Sequence, residues 1–186
     1  MTIRDNLQCV GVAALLIACK YEEVYFPELH DFTEITDNAF DKSQILKKEN
    51  EILGTLEFNV TFPSALRFFE LYNIVLKLEG KDKSSVLYLL EISTIDYSML
   101  EYKPSLIAAA CVMFIVYCNS SLKNMLYCIC NQNVDDINKV FRQIVKIYTS
   151  RDNGSKSLMR KFAQEKYHQI SNYDLYAELT RKNFGS

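Results

Sequence analysis

Two segments of the chain contain no charged side chain, and they constrain the fold more than any other feature. The first is residues 7–19, LQCVGVAALLIAC, and the second is residues 105–118, SLIAAACVMFIVYC. A helix formed by either segment would be apolar on every side, so it is expected at the centre of a bundle, surrounded by other helices. Both segments carry small residues near their midpoints, which would allow neighbouring helices to approach closely.

Most other periodic segments also have helical spacing. Apolar residues of the segment 137–148 recur at intervals of three and four, behind a candidate N-cap at Asn133. Asp41 and Gln44 approximate a capping box, and Pro63 stands near the start of another helix. No segment alternates apolar and polar residues for long enough to favour a strand. The sequence therefore predicts an all-α chain.

The two uncharged segments also suggest an internal repeat of roughly a hundred residues when their small-residue centres are aligned. Each centre is followed by a short helix and then a longer amphipathic one, and EFNVTFPS (57–64) would link the two copies. Two helices, at about 64–77 and 84–100, are predicted ahead of the second centre. Only MTIRDN precedes the first centre. If the copies are equivalent, two helices are missing from the first.

Composition excludes several classes of function. The net charge is −2, the isoelectric point is about 5.8, and no basic stripe runs along the chain. A nucleic-acid-binding surface is therefore not expected. The longest apolar run, 106–118, is shorter than the roughly 20 residues that a membrane-spanning helix requires. We expect a soluble protein that binds neither nucleic acid nor membrane.

No catalytic motif is present, since the chain lacks a glycine-rich phosphate loop, a zinc-binding His-Glu-x-x-His helix and a nucleophile elbow. Cys128 and Cys130 are close in sequence, but no further Cys or His pair completes the four ligands of a structural zinc site. We interpret the six cysteines as reduced and mostly buried thiols, typical of the cytoplasm or nucleus. No enzyme activity, metal, cofactor or small-molecule ligand is expected.

Two charged residues interrupt apolar helix faces. Lys20 follows Ile17 by three residues and precedes Val24 by four, and Glu49 follows Ile45 by four. Two interpretations remain open. Lys20 and Glu49 could form an intramolecular salt bridge between helices, or Lys20 could extend to water. Alternatively, they could belong to a surface that docks another protein, with the apolar neighbours supplying contact area. Spacing alone favours the first interpretation.

Several motifs resemble the A/B-type (mitotic) cyclins, over nearly the whole chain. They are KYEE (20–23), P-E-x-x-D-F (27–32), ITDNAF (35–40), the E…IL…L-x-F run that leads to the linker proline, LLEISTIDYSMLEYKPSLIAAA (89–110) and KSLMRKFAQEKYHQIS (156–171). The resemblance implies a cyclin fold, with two tandem helical repeats, the first incomplete, and a C-terminal helix and extension. The implied domains are 1–60, 61–150 and 151–186.

The resemblance further implies a regulatory subunit that binds and activates a cyclin-dependent Ser/Thr kinase at G2/M, in the nucleus and cytoplasm. Lys20 and Glu49 match cyclin positions that hydrogen-bond the kinase's C-helix and adjoining backbone, and Glu23 is assigned to the same surface. Matching apolar positions that pack on that helix are Ile17, Tyr21, Leu53, Phe58 and Val60. The alternatives are a transcriptional cyclin and a cyclin-fold transcription adaptor.

Cyclins of this class begin their first repeat with two helices that this chain lacks, and the first of them carries a hydrophobic docking patch for substrates. No residue here can be assigned to that patch. A fragment, a shortened gene model or a divergent member would each account for the difference. We expect the helix around Gly11 to lose part of its cover, and therefore expect marginal stability or self-association.

Overall fold

The structure is a computed structural model that describes residues 6–150, 156–175 and 177. The chain divides into two compact units, Met1–Phe62 and Pro63–Ser186. Within the described ranges the regular elements are α-helices and 3-10 helices, without a strand, so the prediction of an all-α chain is confirmed. A further division of the second unit at residue 150 stays a prediction.

Over residues 6–62, the first unit is built from three helices, α1 (Leu7–Glu22), α2 (Leu29–Glu34) and α3 (Lys42–Thr55). The principal packing is of α1 against α3, and the short α2 touches both. Four buried side chains form the centre of this unit, namely Val12, Leu16, Phe32 and Ile45. The first unit therefore has a small core.

The start of α3 follows from its sequence. Asp41 accepts a hydrogen bond from the Gln44 backbone N–H at 2.8 Å, and the Asp41 backbone N–H donates to the Gln44 side chain at 2.9 Å. Two backbone donors that the helix leaves unpaired at its N-terminus are satisfied in this way. The predicted capping box is confirmed, and it sets the helical register that places Glu49 on the inner face of α3.

The second unit contains more helices and a larger core. Its elements are α4 (Ala65–Leu76), α5 (Gly80–Ser93), α6 (Pro104–Val116), α7 (Ser120–Cys130), α8 (Val134–Thr149) and α9 (Lys156–Phe162), with 3-10 helices at Tyr97–Glu101, Glu165–Tyr167 and Ile170–Asn172. The central helix is α6, which packs against α4, α5, α7 and α8. Asn133 accepts a hydrogen bond from the Asp135 N–H at 2.8 Å, which confirms the predicted N-cap of α8.

The expectation of a central position is correct for α6 and wrong for α1 in the described part of the chain. Ala109 and Val112 of α6 are completely buried, whereas Leu7 and Leu15 of α1 are 64% and 46% exposed. A Cβ placed on Gly11 would meet no atom within 4 Å. The cause is the number of neighbours, because among the described helices α1 packs mainly against two, α2 and α3, and α6 mainly against four.

The helix expected at 84–100 is also different in the structure. α5 begins earlier, at Gly80, and ends at Ser93. Beyond it the Asp96 carboxylate accepts hydrogen bonds from both the backbone N–H and the hydroxyl of Ser98, at 2.9 and 2.6 Å. Such a local side-chain bond offers the backbone an alternative to the α-helix. The chain accordingly continues as the separate 3-10 helix Tyr97–Glu101.

The segment after residue 155 packs on α5. Lys161 pairs with Glu91 of α5 at 2.7 Å, with both side chains more than a third exposed. The buried ring of Phe162 lies 5.0 Å from that of Tyr88, measured between centroids. These contacts join α9 to the core of the second unit.

Candidate functional site

The strongest candidate for a site is the charge pair between α1 and α3. Lys20 Nζ donates to both carboxylate oxygens of Glu49, at 2.7 and 2.9 Å. Only 8% of the Glu49 side chain is exposed, against 39% of the Lys20 side chain. An intramolecular salt bridge is therefore present, as spacing alone favoured. Its carboxylate lies inside the unit, while its ammonium reaches the surface.

This salt bridge does not use all the hydrogen-bonding capacity of its two groups. An ammonium group carries three donors, and two of those of Lys20 are directed at Glu49. The third meets no acceptor among the residues that the structure describes. A carboxylate likewise accepts more than the two bonds that Glu49 receives. The pair therefore keeps hydrogen-bonding capacity beyond its own contact, and Lys20 presents that capacity at the surface. The two interpretations of Lys20 and Glu49 are compatible.

The apolar residues assigned to this site differ in exposure. Ile17, Leu53 and Val60 are half-buried, whereas Tyr21 and Phe58 are 51% and 71% exposed. The half-buried residues are thus held by their own unit, and the two aromatic rings are available to a partner.

The structure brings only some of these residues together. Lys20 touches Glu49 directly, and the Tyr21 hydroxyl lies 2.8 Å from the hydroxyl of Thr61, in the segment that carries Phe58 and Val60. Glu23 is exposed at the C-cap of α1, and in the described ranges its carboxylate forms no ion pair. The structure thus links Tyr21 to the linker segment but does not join Glu23 to the Lys20–Glu49 pair.

Sequence reasoning missed four exposed apolar residues of the same unit. Val24, Tyr25 and Phe26 follow α1 directly and are 86%, 94% and 52% exposed, and Phe62 is 72% exposed. Consecutive apolar side chains in solvent are unusual on a monomeric surface and mark interaction sites. The available signal was the run VYF immediately before Pro27. Helical spacing instead placed Val24 on the face of Lys20, which is wrong because α1 ends at Glu22.

Charges close to the site are partly neutralised within α3. Lys48 pairs with Glu51 one helical turn away, and this hydrogen bond lowers the pKa of the Glu51 carboxyl. Glu51 is therefore ionised at neutral pH, and Lys48 offsets its charge.

Other kinds of site find little support. Across the described ranges no group of three or more His, Cys, Asp or Glu side chains could hold a metal ion, and none of the helices there is long and apolar enough to cross a membrane. The six cysteines are free thiols, of which Cys118 and Cys128 are exposed and Cys19 is half-buried. The expectation of mostly buried cysteines therefore holds for three of them. Burial raises the pKa of Cys111 in the centre of α6.

Two family models match the chain. The cyclin N-terminal domain matches residues 1–61, and the cyclin C-terminal domain matches residues 63–175. Because the second match alone covers more than half of the chain, the chain belongs to the cyclin family. The all-α architecture agrees with that assignment.

Similar proteins point to the mitotic branch. G2/mitotic-specific cyclin-B2 of Oryzias luzonensis is 47% identical over 107 residues, which cover 58% of this chain and 28% of that protein. G2/mitotic-specific cyclin-B of Patella vulgata is 32% identical over 171 residues, which cover 90% of this chain and 42% of that protein. Cyclin-B2-1 of Arabidopsis thaliana is 31% identical over 174 residues, which cover 91% of this chain and 40% of that protein. These names confirm the resemblance to A/B-type cyclins. The chain spans less than half the length of each of these relatives.

Proposed function

We propose that this chain is a regulatory subunit that binds and activates a cyclin-dependent Ser/Thr kinase at the G2/M stage of the cell cycle, in the nucleus and cytoplasm. Membership of the cyclin family supports this proposal, as do relatives named G2/mitotic-specific. The chain itself performs no catalysis in this proposal.

The observation that carries the proposal is the Lys20–Glu49 pair with exposed apolar side chains in the same unit. Protein interfaces combine an apolar centre with a few hydrogen bonds. The exposed rings of Tyr21 and Phe58 would provide apolar area against the kinase's C-helix. The remaining hydrogen-bonding capacity of the charge pair would bind the helix backbone and set its register.

Activation would follow from differential binding. Turning the C-helix inward completes the Lys–Glu ion pair on which phosphoryl transfer by kinases depends, and it reorganises the activation loop. The chain can favour that arrangement only by the difference between its affinities for the active and inactive kinase. The interface is therefore the source of the free energy that drives activation.

The test is binding and activation of purified kinases. We expect the chain to co-purify with a mitotic cyclin-dependent kinase from a panel that also contains transcriptional ones, and to raise phosphorylation of histone by that kinase. Binding to a transcriptional kinase alone would favour the transcriptional-cyclin alternative. Binding to no kinase in the panel would contradict the proposal.

A further inference from the structure

The segment that links the two units leaves α3 through a strained turn. Glu57 and Phe58 both adopt the left-handed backbone conformation, with φ of 50° and 58°. Residues other than glycine rarely adopt this conformation. The turn is stabilised locally, because the Phe58 N–H donates to the Leu53 carbonyl at 2.9 Å and the Asn59 N–H to the Leu56 carbonyl at 2.8 Å. Strained residues persist only where the surrounding structure holds them, and they cluster at functional sites.

Beyond this turn, one long-range hydrogen bond holds the chain. The Thr61 hydroxyl lies 2.8 Å from the hydroxyl of Tyr21, forty positions earlier in the sequence. Across 61–63, all of which the structure describes, no other hydrogen bond is recorded. The Tyr21–Thr61 contact therefore fixes the end of this segment to α1.

The same contact anchors the end of a segment that carries two exposed aromatic rings. Phe58 lies three residues before Thr61 and Phe62 directly follows it, and they are 71% and 72% exposed. Solvent-exposed aromatic rings contribute most to binding when the backbone that carries them is already ordered, because ordering a loop on binding costs conformational entropy. Without the Tyr21–Thr61 bond, that entropy would be lost at the moment of binding.

We propose that Tyr21 and Thr61 are positioning residues, whose hydrogen bond pre-organises the segment 57–62 so that its aromatic rings meet the partner. This inference rests on the proposed function, since the partner is the kinase of that proposal. Thr61 acts through Phe58 and Phe62 rather than by touching the partner itself.

The experiment measures affinity for the purified cyclin-dependent kinase that binds the full chain most tightly. Thr61→Val removes the hydroxyl and keeps the shape, whereas Thr61→Ser keeps the hydroxyl. We expect Thr61→Val and Tyr21→Phe each to weaken binding about threefold, as for loss of one hydrogen bond, and Thr61→Ser to bind as the unaltered chain does. The double variant should be no weaker than either single one, because both remove the same bond.

A matched control lies in the second unit. The exposed Thr94 hydroxyl also makes one hydrogen bond, to the Glu91 carbonyl at 2.8 Å, so Thr94→Val should leave the affinity unchanged. Equal affinities of Thr61→Val and Thr61→Ser would overturn the positioning role while leaving the proposed function intact. Additive losses in the double variant would overturn it as well. Failure of the unaltered chain to bind any kinase would instead overturn the proposed function, and this inference with it.

Discussion

The two uncharged helices, α1 and α6, are alike in composition and different in environment. Four helices surround α6, and every residue from Ala108 to Phe114 is buried. Within residues 6–62, α1 packs on α3 and α2, and its face formed by Leu7, Gly11 and Leu15 is exposed.

This difference separates what composition determines from what packing determines. Burial of an apolar helix under any other surface stabilises the protein. Composition therefore indicates that burial is favourable. Whether cover exists depends on how many other elements reach the helix. In the second unit four helices bury α6, whereas the core of the first unit consists of four buried side chains.

The largest expected effect comes from the same substitution in both helices. Ala109→Leu in α6 adds volume where the side chain is fully buried, and we expect it to lower the free energy of unfolding by about 1–3 kcal/mol. Ala14→Leu in α1 adds the same volume on an exposed position, and the change should stay within about 0.5 kcal/mol. Urea unfolding followed by circular dichroism measures both. Equal effects would remove the difference between α1 and α6.

The sequence predicts those features that depend on neighbouring residues in the chain. The caps at Asp41 and Asn133 are of this kind, since each bond spans two or three residues. Periodicity could not predict the exposure of Leu15, because it describes a helix and does not count its neighbours. The expectation that the helix around Gly11 loses part of its cover came from the family resemblance, and the exposure of Leu7 and Leu15 agrees with it. Spacing likewise identified Lys20 and Glu49 as anomalous, but could not decide between a salt bridge and a docking surface.

A smaller effect is expected at the charged end of α1, a feature that α6 lacks. Lys20→Met keeps the unbranched apolar stem but removes the ammonium group, and so leaves the buried Glu49 carboxylate without its partner. We expect a loss of about 1 kcal/mol, reduced from the value for fully buried pairs by the exposure of Lys20. The double variant Lys20→Met with Glu49→Leu should recover most of this loss, because it removes both charges. Thermal unfolding would contradict the account if the double variant were the less stable one.

The smallest effect on stability is expected on the exposed face of α1. A substitution there should change self-association of the chain rather than its stability. Leu15→Lys places a charge on an exposed position, so the free energy of unfolding should change by less than about 0.5 kcal/mol. Self-association, which stays a prediction for this chain, should decrease because exposed apolar patches drive it. Sedimentation velocity measures the change. A monodisperse monomer before any substitution would contradict the prediction.

The most direct test of the central claim compares two lysine–glutamate pairs of equal length. Lys20–Glu49 lies in the first unit, which also carries the exposed rings of Tyr21 and Phe58, and Lys161–Glu91 lies in the second unit. Each pair has a shortest N–O distance of 2.7 Å. Calorimetric titration with a cyclin-dependent kinase should show that alanine substitution of both members of the first pair weakens binding at least about tenfold. The same substitutions in the second pair should leave the affinity unchanged, with helix content preserved in both variants. Unchanged binding by the Lys20→Ala, Glu49→Ala variant would contradict the claim that this surface binds the kinase.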